Sequence, residues 1–153
     1  MRTVVLPKGK IDLFLERISQ EHKLIVPQKS GGEVVFAPYE PGCEVALGYQ
    51  RTLLPPKKFF LPPEETLLSF HKGEGFVETM EDPAKQILFG LHPCDIHGIK
   101  RLDYVFLDGY VDTYYQQRRE QTIIIGLSCL PDDKCFCHSM GTDQVTDSFD
   151  LFF

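Results

Sequence analysis

The sequence predicts an α/β domain: a mixed sheet with a parallel βαβ core in its C-terminal half and helices on its faces. Two runs, "KQILFGL" and "TIIIG", are apolar almost throughout at strand length, as parallel strands covered on both faces must be. Between them "DIHGIKRLDYVFL" sets Ile96, Ile99, Leu102 and Phe106 at helical intervals, and "DTYYQQRRE" follows as a second helical stretch. Strand, helix and strand in that order require a right-handed crossover between parallel strands.

The N-terminal half is read in chain order. Ile11, Phe14, Leu15 and Ile18 have helical spacing, and the apolar run after them predicts a strand ended by Pro27. "GGEVVFAPY" and "CEVALGY" predict short, peripheral, antiparallel strands bounded by Gly and Pro. "LLPPKKFFLPPEETLLSFHKG" holds two proline pairs. Glu64 and Glu65 after the second suit the first turn of a short helix, with the rest a packed, extended crossover. No second domain, internal repeat or low-complexity segment is visible, so residues 1–153 are read as one α/β domain.

At 153 residues the chain is long enough to bury a core without staples. Its five cysteines therefore call for another explanation. The N-terminus lacks a signal-peptide pattern, and no stretch approaches the roughly 18 apolar residues of a membrane span. A cytoplasmic chain is expected, where thiols stay reduced and clustered cysteines serve as ligands or redox groups. A formal net charge of -6 without a basic stripe argues against nucleic acid.

Cys94 and Cys129 each fall just past the carboxyl end of a predicted parallel strand. Both should emerge on the sheet edge where open α/β folds place their sites. Cys135 and Cys137 follow Cys129 closely enough to fold back over that edge. Four thiolates are soft donors suited to an iron–sulfur cluster or zinc. Their spacing, Cys129-x5-Cys135-x-Cys137 with Cys94 far upstream, is neither a ferredoxin run nor the paired C-x2-C of a zinc ribbon. Cluster, zinc and unligated thiols all stay open on pattern alone, although so tight a C-x-C favours ligation over a strained disulfide.

His92, His97 and His138 lie near the thiols in sequence. His92 and His97, which flank Cys94, are the better candidates for substitute ligands or for hydrogen-bond donors to the sulfurs. Phe136 is read either as a shield for the centre or as a core aromatic, and Asp95 as the N-cap of the helix. Gly98, unfavourable inside a helix, suggests a close approach of the backbone to the sheet or to a bound group. Cys43 is taken as a small, buried hydrophobe. Lys100, Arg101, Arg118 and Arg119 are a solvated helix face by default and a docking patch for an acidic carrier or nucleotide phosphate on the sharper reading. No G-x-G-x-x-G, P-loop or G-x-S-x-G occurs. A Cys–His hydrolase built on Cys94 or Cys129 would leave the C-x-C unexplained.

Taken together, "KKFFLPPEETLLSF", "ILFGLHPCDIHGIKRLDYVFL", "YYQQRREQTIIIGLSC" and "CFCHSMGTD" resemble the N-terminal region of the 4Fe-4S dicluster proteins, a family that includes an electron-transfer subunit of anaerobic sulfite reductase and the sulfhydrogenase beta subunit. The resemblance covers almost the whole chain and rests on four motifs in one order. It implies an iron–sulfur electron-transfer subunit of an anaerobic oxidoreductase complex such as a sulfite reductase or sulfhydrogenase, without a catalytic residue of its own. Cys94, Cys129, Cys135 and Cys137 match the family's N-terminal cysteine motifs, and a 4Fe-4S cluster is the implied cofactor. Implied partners are a flavin/NAD or ferredoxin-type electron-transfer subunit, together with the catalytic subunit. Members continue into a ferredoxin-like dicluster domain that this chain lacks, so the sequence is expected to be the N-terminal part of a longer protein. The alternative is a zinc-stabilised assembly module of the same complex, without redox activity.

Overall fold

The computed structural model describes residues 3–73, 75–78 and 83–153. Among the described residues, three α-helices and seven strands follow in chain order: α1 (Ile11–Ser19), β1 (Lys23–Ser30), β2 (Glu33–Pro38), β3 (Leu68–His71), β4 (Gly75–Glu78), β5 (Gln86–Leu91), α2 (Pro93–Leu107), α3 (Thr113–Glu120), β6 (Thr122–Gly126) and β7 (Leu151–Phe152). Five strands form one sheet in the order β2-β1-β5-β6-β7, while β3 and β4 make a separate antiparallel pair. β1, β5, β6 and β7 run parallel and β2 is antiparallel at the edge. The mixed sheet with its parallel βαβ core is thus borne out.

Alternation along the strands divides the core between the two faces. Leu24, Val26, Ile87, Phe89 and Ile125 form one cluster with Leu15 of α1. Ile25, Leu88 and Ile124 point the other way and pack with Ile96 and Ile99 of α2 and Tyr115 of α3. Every residue of β5 is buried, which is why its sequence is apolar without alternation. Its one amide, Gln86, donates to the Thr122 hydroxyl at 2.9 Å.

Several expectations need correcting. β1 does not end at Pro27 but runs on to Ser30, because the parallel pairing with β5 covers only Lys23 to Ile25 and the missing N–H costs no ladder bond there. Only the first of the two peripheral strands forms: Gly31 and Gly32, at φ 57 and 86, close the β1–β2 hairpin, whereas "CEVALGY" contributes a single bridge between Val45 and Gln28. The short helix in the proline-rich stretch starts within the first proline pair, as a 3-10 turn over Pro56–Phe59, and the chain around Glu64 and Glu65 is not helical.

The presumed basic patch is largely spent on internal ties. Arg118 donates to the Phe60 carbonyl at 2.7 Å and pairs with Glu65 at 2.5 Å, Arg119 pairs with Asp103 at 3.1 Å, and Lys100 pairs with Asp147 at 2.6 Å. The close backbone approach expected at Gly98 occurs instead at Gly126. A Cβ on Gly126 would stand 2.3 Å from the Phe152 ring and 3.2 Å from Ile96, whereas one on Gly98 would meet nothing within 4 Å among the described residues. Cys43 is half-buried and packs at the margin of the α1 face.

Candidate metal centre

The carboxyl end of β5 is shaped by three residues. Gly90 has φ 88, a left-handed conformation that produces the register shift between Phe89 and Leu91 against β6. The Pro27 ring packs on it, and the Tyr49 hydroxyl donates to its carbonyl at 2.8 Å. His92 then leaves the sheet in an extended conformation as N-cap of α2, and Pro93 follows at a position where a missing N–H costs nothing. Cys94 therefore stands at the second helical position, just above the sheet edge.

β6 ends beside it. The Leu127 N–H donates to the Leu91 carbonyl at 2.8 Å and the Ser128 N–H to the Phe153 carbonyl at 2.7 Å, so the chain is held up to the residue before Cys129. The loop then coils on itself. The Cys135 N–H donates to the Asp132 carbonyl at 3.1 Å, and the Cys137 carbonyl accepts from the N–H groups of Met140 at 3.2 Å and Thr142 at 2.9 Å. Farther on, the loop is tied to α2 by His97 Nε2 against the Gln144 carbonyl at 2.8 Å and by the Lys100–Asp147 pair.

This arrangement brings the four predicted cysteines to one edge. Cys94 and Cys137 are hydrogen-bonded through their thiols, and the charge on Cys129 is felt at Cys94. Cys129 in turn feels Cys137 and Cys135. Burial pushes the Cys94 thiol up to about 12, helped by Asp95, Cys137 and Cys129, and burial also raises Cys129. Cys135 is raised as well. The backbone hydrogen bond at Asp132 acts most strongly on it, downward, and is outweighed by the hydrogen bond to the Asp132 carboxylate, partial burial, and the charges of Asp132 and Cys137. A cation bound here must displace these protons, so its uptake is expected to strengthen as pH rises. The donor set fits such a group, although among the described residues no three His, Cys, Asp or Glu side chains are already gathered around one point as a single ion requires.

The histidines play other parts. His92 is buried, stacks on the Tyr49 ring at 4.0 Å and 9°, and its Nε2 has no hydrogen-bond partner among the described residues. Burial lowers its pKa to about 4, so it is neutral near pH 7. His97 ties the loop down as described, and His138 lies on the surface, paired with Asp143 at 2.9 Å. Phe136 neither shields nor fills a core: it is 71% exposed, and Leu130 and Met140 of the same loop are exposed too.

Asp95 is not the N-cap but the third helical residue, and its carboxyl is raised by burial to about 6, with the His92 backbone and Lys57 pulling the other way. The folded metal-free chain thus holds a proton that the unfolded chain releases near pH 4. Stability from this group is present below about pH 4 and lost as pH rises through about 6. Asp95→Asn is accordingly expected to narrow the fall in metal-free stability between pH 4 and 8, as read by urea midpoints of both proteins across that range.

Tyr49, Arg51 and Asp132 belong to the site and were not visible in the sequence. Tyr49 feels the charges of Asp95, Cys94 and Cys129 and is itself raised chiefly by burial. Arg51 and Asp132 form an ion pair at 2.8 Å. These contacts join positions 41 and 81 residues apart, for which local pattern carries no signal.

Among known proteins, the chain is 41% identical over 152 residues to sulfhydrogenase 2 subunit beta of Pyrococcus furiosus, in an alignment covering 99% of this chain and 45% of that protein. The chain thus spans less than half the length of this curated relative. The likeness to sulfhydrogenase beta subunits read from the sequence is borne out by it. No family model matches the chain, the dicluster family included, and no solved structure matches it. No helix among the described residues is long and apolar enough to cross a membrane.

Proposed function

We propose that this chain is an iron–sulfur electron-transfer module of a hydrogenase-type oxidoreductase complex in the cytoplasm, with Cys94, Cys129, Cys135 and Cys137 as ligands of one 4Fe-4S cluster. The observation that carries the reading is the convergence of four thiols from two distant segments on the carboxyl edge of the sheet. The relative is named as a subunit, which supports other subunits as partners. A bound cluster supplies a single-electron carrier whose potential is set by burial and by hydrogen bonds to its sulfurs.

The chain's own residues would hold and tune it. Cys94 lies where the N-terminal end of α2 favours an anionic sulfur once a cation is present. Neutral His92 stacks on Tyr49, which lies within reach of the charges on Cys94 and Cys129, and neither ring adds charge. In a cubane each thiolate binds a different iron, so the sulfurs need not point at one atom as zinc at about 2.3 Å demands. A cluster therefore asks for less exact convergence of these four thiols than zinc does.

Anaerobic incubation with iron and sulfide is expected to give a broad brown absorbance, with acid-labile sulfide, that Cys135→Ser loses. A colourless chain holding one zinc and no sulfide would support the assembly module instead.

A further inference from the structure

We propose that Arg51 is a positioning residue for the cysteine site, forming with Tyr49 a bracket that holds both cysteine-bearing segments at a fixed separation. The inference rests on the iron–sulfur reading above and deepens it. Residues 49–51 touch both segments. Tyr49 grips the end of β5, through its hydrogen bond to the Gly90 carbonyl at 2.8 Å and its stack on His92, two residues before Cys94. Arg51 grips the other segment, with Nη2 to Asp132 Oδ2 at 2.8 Å and Nη1 to Oδ1 at 3.3 Å, a fork on the carboxylate.

Asp132 passes the grip to the ligand. Its side chain is only 15% exposed. It accepts the Lys134 N–H at 3.0 Å and the Cys135 thiol, and its own carbonyl accepts the Cys135 N–H at 3.1 Å. A bare carboxylate beside a thiolate ligand would repel it. The guanidinium offsets part of that charge while leaving Asp132 in place, which gives this pair a task that an ordinary surface ion pair does not have.

The test compares the full chain with Arg51→Gln, Arg51→Lys and Asp132→Asn, all reconstituted anaerobically. Arg51→Gln and Asp132→Asn are expected to lose iron to a chelator about 10-fold faster or more and to change the electron paramagnetic resonance spectrum of the reduced centre, as loss of groups supporting metal ligands does. Arg51→Lys, which keeps the charge without the fork, should fall between. Iron retention and spectra equal to wild type in both Arg51→Gln and Asp132→Asn would overturn the proposal. A second measurement stands apart from the cluster. Metal-free wild type treated with dibromobimane should join Cys94 to a loop thiol, mapped by mass spectrometry, and Arg51→Gln should reduce that yield several-fold. Equal yields overturn the bracket whatever the iron result, whereas wild type that takes up no iron and sulfide while the yields differ overturns the cluster reading alone.

Discussion

Cys94→Ser is expected to abolish stable incorporation of the iron–sulfur centre while leaving the chain folded. Cys94 is the one thiol of the four that comes from the β5–α2 segment; Cys129, Cys135 and Cys137 share a loop that stays anchored by its own hydrogen bonds. Without Cys94 the loop thiols lose their only soft donor from across the sheet edge. A serine hydroxyl is a harder, more weakly acidic donor than a thiol. Folding should survive, since Cys94 is only half-buried and the core beneath it is built by Ile96 and Ile99. The checks are iron and sulfide per chain after anaerobic desalting, with circular dichroism as the control. Iron retained at the wild-type level in a folded Cys94→Ser chain would remove this residue from the site.

Gly90→Ala is expected to be among the most damaging single substitutions, at about 2–5 kcal/mol of folding stability: about 1–2 for a side chain in a left-handed conformation and about 1–3 for overpacking. Both costs are visible at this position. Its φ is 88, and an added Cβ would sit 3.1 Å from two atoms of the Pro27 ring, which is itself confined within β1. The substitution would also push on the carbonyl that holds Tyr49. Urea denaturation of the metal-free chain measures the loss. A change below about 0.5 kcal/mol, the usual scale of a surface substitution, would mean that the bulge is not the rigid end of β5 described here.

The C-terminal half was legible because burial on both faces writes itself into composition. β5 and β6 could be read as covered parallel strands from their unbroken apolar runs, and the 3.6-residue spacing of Ile96, Ile99, Leu102 and Phe106 marked α2. From those two strand ends the common edge of Cys94 and Cys129 followed by topology alone. The N-terminal half was less legible. Pro27 reads as a strand terminator unless the reach of the β5 pairing is known, and "CEVALGY" has strand composition without a neighbour to complete its ladder.

The surroundings of the cysteines were hidden for a related reason. Asp95 looks like a cap in the sequence because it opens the helix, yet the residue with N-cap geometry is His92, which by spacing alone is a candidate ligand. Phe136 looks like a buried aromatic and is exposed, between two cysteines that are themselves only partly buried. Arg118 and Arg119 look free, since Asp103, Glu65 and the Phe60 carbonyl reach them only in the folded chain.

The central claim is that two segments distant in sequence share one inorganic centre, and anomalous diffraction at the iron edge from crystals of the anaerobically reconstituted chain tests it most directly. One compact peak is expected, the size of a four-iron cluster and in bonding contact with all four cysteine sulfurs. Iron confined to the 129–137 loop with Cys94 unbonded, or a lone zinc peak in its place, would contradict it.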